Sequence, residues 1–172
     1  MVVSNRIRFL VWIIMIAAGY FGGLWINDLL DWSCPSIICI PVGLILLALI
    51  IRASSVTGRY LAVYGKKSGK GFGEIDKLVT VGPYSCMRHP MHFFLSLFPI
   101  ALGLLLVNPG MSFIIGPVEM ILILSMAILI DEKESIERFG EEYLEYKSRV
   151  PAFNLHPRCL WLCLAHRPSR EE

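Results

Sequence analysis

Two short stretches carry residue types that can bind and orient a charged ligand. Arg88-His89-Pro90 sets a guanidinium beside an imidazole, and Asp131-Glu132 sets two carboxylates side by side. A guanidinium fork holds a carboxylate through two parallel hydrogen bonds. A carboxylate can hold an ammonium, and His or Glu can move a proton. Each stretch lies where an apolar run meets a polar one, and ionisable groups at such a boundary are functional candidates by default. The competing reading is plainer: Arg88 anchors at headgroups, Pro90 starts a helix, and Asp131 and Glu132 are solvated charges.

The elements that must position these residues are long and apolar. Of 172 residues 55% are hydrophobic, with a mean hydropathy of +0.61. Soluble domains contain about 45–50% apolar residues, so the excess is lipid-facing surface. A net charge of only +2 gives no footprint for nucleic acid. A span needs about 20 apolar residues, and four segments qualify: 9–26, 36–51, 91–107 and 112–130. The second is short, so it starts before Pro35 or sits tilted. The first reads as an uncleaved anchor, since its apolar run exceeds that of a secretory signal. The predicted fold class is all-α, a polytopic membrane helical bundle forming a single domain over 1–172.

All sixteen basic residues fall in three places. Two precede the first span, seven lie between the second and third, and seven follow the fourth. By the positive-inside rule both termini and the central loop face the cytoplasm. Asn108-Pro109-Gly110 makes the third and fourth spans an antiparallel hairpin. Its two cytosolic ends are then neighbours, and Arg88-His89 meets Asp131-Glu132. A cytosolic lid of residues 56–90 and 131–172 would cover them.

Leu78-Val79-Thr80-x-Gly82-Pro83-Tyr84, then Arg88-His89-Pro90, then Glu132 and Phe139-Gly140-Glu141-Glu142-Tyr143 with Tyr146 and Arg149-Val150-Pro151, resembles the isoprenylcysteine carboxyl methyltransferase and phospholipid methyltransferase superfamily. The resemblance covers roughly residues 70–155 in order and spacing, and the ordered set is more specific for the superfamily than for a substrate. It implies an integral membrane enzyme whose cofactor is S-adenosylmethionine, held on the cytosolic side by segments 70–92 and 131–155. The implied cofactor-binding set is Lys77, Leu78, Val79, Gly82, Tyr84, His89, Pro90, His92 and Glu132. Leu78, Val79, Gly82 and Tyr84 would border its nucleoside or methionine part. His89 and Glu132 would hold its amino-acid end, and Arg88 suits its carboxylate. Arg88, His89 and Glu132 are the implied catalytic residues. The implied acceptor is a lipid or prenylated cysteine within the membrane, foremost the carboxylate of an isoprenylcysteine-type substrate. The alternatives are a phospholipid or other small apolar substrate, or a non-catalytic scaffold.

Two positions depart from the family pattern. The family commonly continues Arg-His-Pro-x-Tyr-x-Gly, where this chain has His92 and Phe94. An arginine common about one turn before the glutamate cluster is absent from the apolar run Met126-Ala127-Ile128-Leu129-Ile130. If that arginine orients a substrate carboxylate, a different lipid substrate gains weight.

Other features read as structural. Glu119 follows Gly116-Pro117, so a helix starting at Pro117 would place it in the first turn near free amides. The alternative is an internal polar site. Lys66-Lys67-Ser68-Gly69-Lys70-Gly71-Phe72-Gly73 lacks the ending and preceding strand of a phosphate loop, and reads as a basic loop near anionic headgroups. The five cysteines form no secreted framework, and Cys159 and Cys163 are expected reduced. His156, Cys159, Cys163 and His166 would lie along one helix stripe, too extended to close around one tetrahedral ion, so no metal is expected. That segment reads as an interfacial helix with Trp161 in lipid and cysteines available for acylation. The run Glu137, Glu141, Glu142, Glu145 with Lys133, Arg138, Lys147 and Arg149 reads as a solvated helix face, its Phe139, Tyr143 and Tyr146 packed toward the pocket.

Overall fold

The structure is a computed structural model that describes residues 5–65 and 76–165. The basic loop of residues 66–73, and His166 of the helix stripe, lie outside the described residues. Regular structure is helical throughout the described residues, and the chain divides into two compact units. One unit comprises the chain up to Ile50 with Leu95–Met126; the other comprises Ile51–Phe94 and everything from Ala127 onward.

The spans appear as helices in the expected order. Helix α1 covers Asn5–Leu30 and α2 covers Ser36–Tyr64. The second span is thus not short; the helix begins directly after Pro35 and runs on past Ile51. The third is broken into α3 (Pro90–Leu95) and α4 (Phe98–Leu105). Pro99 offers no N–H to the preceding turn and its ring opposes an uninterrupted helix there. Helical backbone then runs from Met111 to Phe139 with wide turns at Met111–Ile115 and Ala127–Asp131, enclosing α5 (Gly116–Met126) and α6 (Glu132–Phe139). Helix α7 is Glu141–Arg149 and α8 is Pro157–Ala165. Among the described residues three helices are long and apolar enough to cross a membrane: Phe9–Leu30, Ser36–Tyr64 and Met111–Phe139. The shorter apolar helix Pro90–Leu105 is about 24 Å long at 1.5 Å per residue. Large apolar side chains such as Phe9, Phe21, Trp25, Ile37 and Leu129 stay exposed, as lipid-facing surface requires.

In the first unit, two asparagines close the turn between α4 and the next helix. Asn27 Nδ2 donates to Asn108 Oδ1 at 2.9 Å, and Gly110 N–H donates to Asn27 Oδ1 at 2.7 Å. Asn108 Oδ1 also accepts from Met111 N–H at 3.0 Å, while its Nδ2 donates to the Tyr20 carbonyl at 3.0 Å. A tight turn leaves backbone amides without ladder partners; these side chains supply them, tying α1 to the hairpin.

The structure corrects the reading of Glu119. No helix starts at Pro117, because the wide turn at Met111–Ile115 carries the helix through Gly116-Pro117, with Gly116 N–H bonded to the Met111 carbonyl. Glu119 is therefore internal and 5% exposed, and it faces Gly19 of α1.

The reading of the cysteines is also corrected. Cys34 is paired with Cys39, and Cys86 with Cys159. Cys163 is free, but buried. Sequence separations of 5 and 73 residues are bridged because one pair flanks the start of α2 and the other joins α8 to the turn at Gly82–Ser85. With Cys159 bonded and Cys163 at 0% exposure, neither thiol is presented for acylation. Trp161 does face outward.

Candidate functional site

The second unit carries both chemistry-bearing stretches. A single 3-10 turn, Gly82–Ser85, leads into Arg88 and His89, and Pro90 then opens α3. Pro90 suits that first position, having no N–H to leave unbonded. Glu132 begins α6 just beyond the wide turn, where the apolar run ends at Ile130. Gly140, with φ +57°, ends α6 in a conformation that side chains disfavour. The chain reverses there, and α7 returns its last turn to the first residue of α6.

At the centre is the Glu132 carboxylate, 1% exposed. Its Oε1 accepts from Arg88 Nε at 2.9 Å, from Arg88 Nη2 at 2.5 Å and from His89 Nε2 at 3.3 Å. Its Oε2 lies 2.7 Å from Lys147 Nζ. Arg88 Nη1 donates to the carbonyls of Lys147, at 3.2 Å, and Val150. The backbone is clamped as well: Arg88 N–H donates to the Pro151 carbonyl at 3.0 Å and His89 N–H to the Ala152 carbonyl at 3.2 Å. One turn along α3, His92 Nε2 stands 3.1 Å from Asp131 Oδ2.

Burial and charge set the protonation states. Burial alone would raise the Glu132 carboxyl, but Lys147 and Arg88 outweigh it and hold it below its ordinary value. His89 moves from 6.5 down to about 4, through burial first and the neighbouring His92 second. At neutral pH its imidazole is uncharged, and the hydrogen on Nε2 is the one aimed at Glu132. Tyr143, 3% exposed, has a buried hydroxyl beside Ser135 and Arg88. Burial, followed by the Glu132 charge, pushes that phenol up to about 12.

A pH dependence follows. Below pH 6.5 the unfolded chain binds a proton at His89 that the folded chain refuses until about pH 4. Stability is therefore fully present above 6.5 and falls as pH drops through this window, by on the order of 3 kcal/mol from this group. Equilibrium unfolding in detergent at pH 7.5 and 4.5 should show the loss, and His89→Gln should make that loss smaller. Equal losses in the two proteins would refute the assignment.

The structure brings Arg88, His89, His92, Asp131 and Glu132 together, as the hairpin reading requires. It places others of the sequence-derived set elsewhere in the same unit. Val79 and Tyr84 are buried in an apolar cluster with Val56 and Tyr60. Leu78 is half-buried, while Lys77 is exposed with its N–H on the Gly65 carbonyl at 3.2 Å. Gly82 adopts φ +60° and Pro90 is buried. Tyr146 Oη donates to the Tyr84 carbonyl at 2.6 Å, fixing α7 to the turn. Phe94 is buried edge-to-face on Phe93, with centroids 5.3 Å apart.

Sequence reasoning missed Lys147, which it counted among the solvated charges. The family-like Arg149-Val150-Pro151 pointed only to the neighbouring backbone, whose Val150 and Pro151 carbonyls hold Arg88 together with that of Lys147. Missed too were the Tyr143 hydroxyl and Asn154, whose Nδ2 donates to the Cys86 carbonyl at 3.2 Å.

Comparison with known proteins agrees with the motif order. Residues 36–142 match the family model described as phospholipid methyltransferase. A Saccharomyces cerevisiae protein named Protein-S-isoprenylcysteine O-methyltransferase is 31% identical over 129 residues, covering 70% of this chain. The match covers 50% of that relative, so the chain spans about half its length. No solved structure matches. Integral membrane helices, the ordered Gly-Pro-Tyr, Arg-His-Pro and glutamate segments, and the match over residues 36–142 lead to one statement: this chain belongs to the phospholipid methyltransferase family.

Proposed function

We propose that the chain is an integral membrane methyltransferase that uses S-adenosylmethionine and methylates a membrane-embedded acceptor, foremost the carboxylate of an isoprenylcysteine-type substrate. The observation that carries this reading is the buried trio Arg88, His89 and Glu132, reached from the solvent side by Lys147. A zwitterionic amino-acid end needs one anion and one or more cations at short range, and this cluster has both. The donor set fits. Glu132 would take the ammonium, Arg88 and Lys147 would take the carboxylate, and the buried Tyr143 hydroxyl is a further polar group beside them. Bound there, S-adenosylmethionine would supply an activated methyl group on its sulfonium.

The chain's own share is then alignment and exclusion of water. A carboxylate acceptor is already nucleophilic, so no base is required. An amine acceptor must lose a proton, and the neutral His89 imidazole would serve that role. The positive-inside pattern supports a cytosolic position for the site and for both termini. The name of the yeast relative supports an O-methyl reading. The family description, together with the apolar run Met126–Ile130 in place of an arginine, supports phospholipid as the second reading.

The purified chain in detergent should bind labelled S-adenosylmethionine and transfer its methyl group to a prenylcysteine analogue as a base-labile ester. Transfer to phospholipid headgroups instead would establish the second reading. Absence of both binding and transfer would overturn the enzyme reading in favour of a non-catalytic homologue.

A further inference from the structure

Cys86 and Cys159 take no part in the chemistry above, yet they join the two segments that frame it. Cys86 lies between the Gly82–Ser85 turn and Arg88, and Cys159 lies in α8. Their Cα atoms are 5.7 Å apart, in the middle of the disulfide range. Around the bond the contacts are non-covalent. Asn154 Nδ2 holds the Cys86 carbonyl, and the carbonyls of Pro151 and Ala152 hold the amides of Arg88 and His89. Among the described residues, this disulfide is the one covalent link between the Arg88–His89 segment and the C-terminal helix.

On the cytosolic placement proposed above, on which this inference rests, this part of the chain faces the reducing side of the membrane. Disulfides are rare there, and those present are mostly transient or redox-sensing. We propose that Cys86 and Cys159 are a reversible thiol–disulfide pair that sets how tightly α8 holds the Arg88–His89 segment. The inference stands whatever acceptor the site takes.

Access gives the exchange a direction. Cys86 is half-buried, whereas Cys159 is 2% exposed. A small-molecule thiolate of the glutathione class would attack Cys86 Sγ, breaking the protein disulfide. The products are a mixed disulfide on Cys86 and a thiolate on Cys159, which takes up a proton. A second thiolate then attacks the small-molecule sulfur of that mixed disulfide, releasing the small-molecule disulfide and leaving Cys86 reduced. Two thiols are oxidised and one protein disulfide is reduced; the reverse sequence restores it. Cys163, one turn further along α8, is a bystander. It is wholly buried, and burial pushes its thiol up to about 11, leaving little thiolate to attack.

The test uses the full chain in detergent, equilibrated in glutathione buffers from reducing to oxidising, with free thiols alkylated and linked peptides mapped by mass spectrometry. Hydrogen–deuterium exchange of residues 84–92 and 157–165 is read on the same samples. A Cys86–Cys159 link should form and vanish with the buffer. Exchange in both segments should be at least threefold faster when reduced. Cys86→Ser and Cys159→Ser should each abolish the difference, and Cys163→Ser should keep it. If Cys159→Ser does not fold, Cys86→Ser at the half-buried position carries the comparison. A link that never forms, a link to Cys163 instead, identical exchange in both states, or a redox response persisting in Cys86→Ser would each overturn the proposal.

Discussion

Replacing Glu132 by alanine should cost the protein both the proposed cofactor binding and a large part of its stability. The Glu132 side chain is 2% exposed and that of Arg88 is 8% exposed. Removing one partner of a buried ion pair leaves the other charge without compensation, at a cost of about 3–5 kcal/mol. Arg88 bears most of that loss. Its Nη1 keeps the carbonyls of Lys147 and Val150, but Nε and Nη2 both end on Glu132. Lys147, with its side chain 41% exposed, can turn to water and contributes little to the loss. Glu132→Gln separates the two consequences. An amide still accepts from Arg88 and keeps the shape, so the folded state should survive largely intact. It cannot neutralise an ammonium, and affinity for S-adenosylmethionine should fall by roughly tenfold or more, as expected for a charge-assisted contact. Thermal unfolding in detergent and binding of labelled cofactor, measured on both variants, check this. An alanine variant with wild-type melting and wild-type binding would remove Glu132 from the centre of the site.

That centre was partly legible from sequence, and the boundary of legibility is physical. Apolar runs of span length and segregated charges are one-dimensional signals. Together with the Asn108-Pro109-Gly110 turn they suffice to make Arg88-His89 and Asp131-Glu132 neighbours. Lys147 could not be found this way. Its pairing depends on the reversal at Gly140, where φ is +57°, and in a run of alternating charges a lysine reads as solvated. The asparagines Asn27 and Asn108 are 81 residues apart, and nothing in their separate surroundings says that one completes the other's turn. Glu119 was misplaced because Gly116-Pro117 carries the usual signature of a helix start. A wide turn absorbed the missing proline N–H instead. The Cys86–Cys159 pair depends on α8 packing against the Gly82–Ser85 turn, a contact between segments with no shared periodicity. Apart from the local backbone turn at Met111–Ile115, the hidden interactions join side chains or elements distant in sequence.

Gly82→Ala tests whether that turn positions the site. Gly82 has φ +60°, where a residue with a Cβ is strained by roughly 1–2 kcal/mol. Space is a second obstacle. A Cβ there would meet the ring of Tyr60 and come within 2.8 Å of its hydroxyl oxygen. Tyr60 cannot step aside. It is 1% exposed, stacked on Tyr64 with centroids 5.7 Å apart, and packed with Val56, Val79 and Tyr84. Overpacking of this kind typically costs 1–3 kcal/mol, so a total of roughly 2–5 kcal/mol is expected. The displaced turn leads straight into Cys86-Met87-Arg88-His89. A shift of about 1 Å at the guanidinium would lower the proposed methyl transfer by up to about 100-fold, even in the molecules that remain folded. Tyr60→Leu should relieve the clash but leave the backbone strain. The double variant should therefore be less destabilised than the two single losses added together, by about 1–3 kcal/mol. Unfolding measurements on the four proteins give that coupling directly. Strict additivity would mean that Gly82 and Tyr60 do not press on each other, and the turn would lose its claim to hold Arg88 in place.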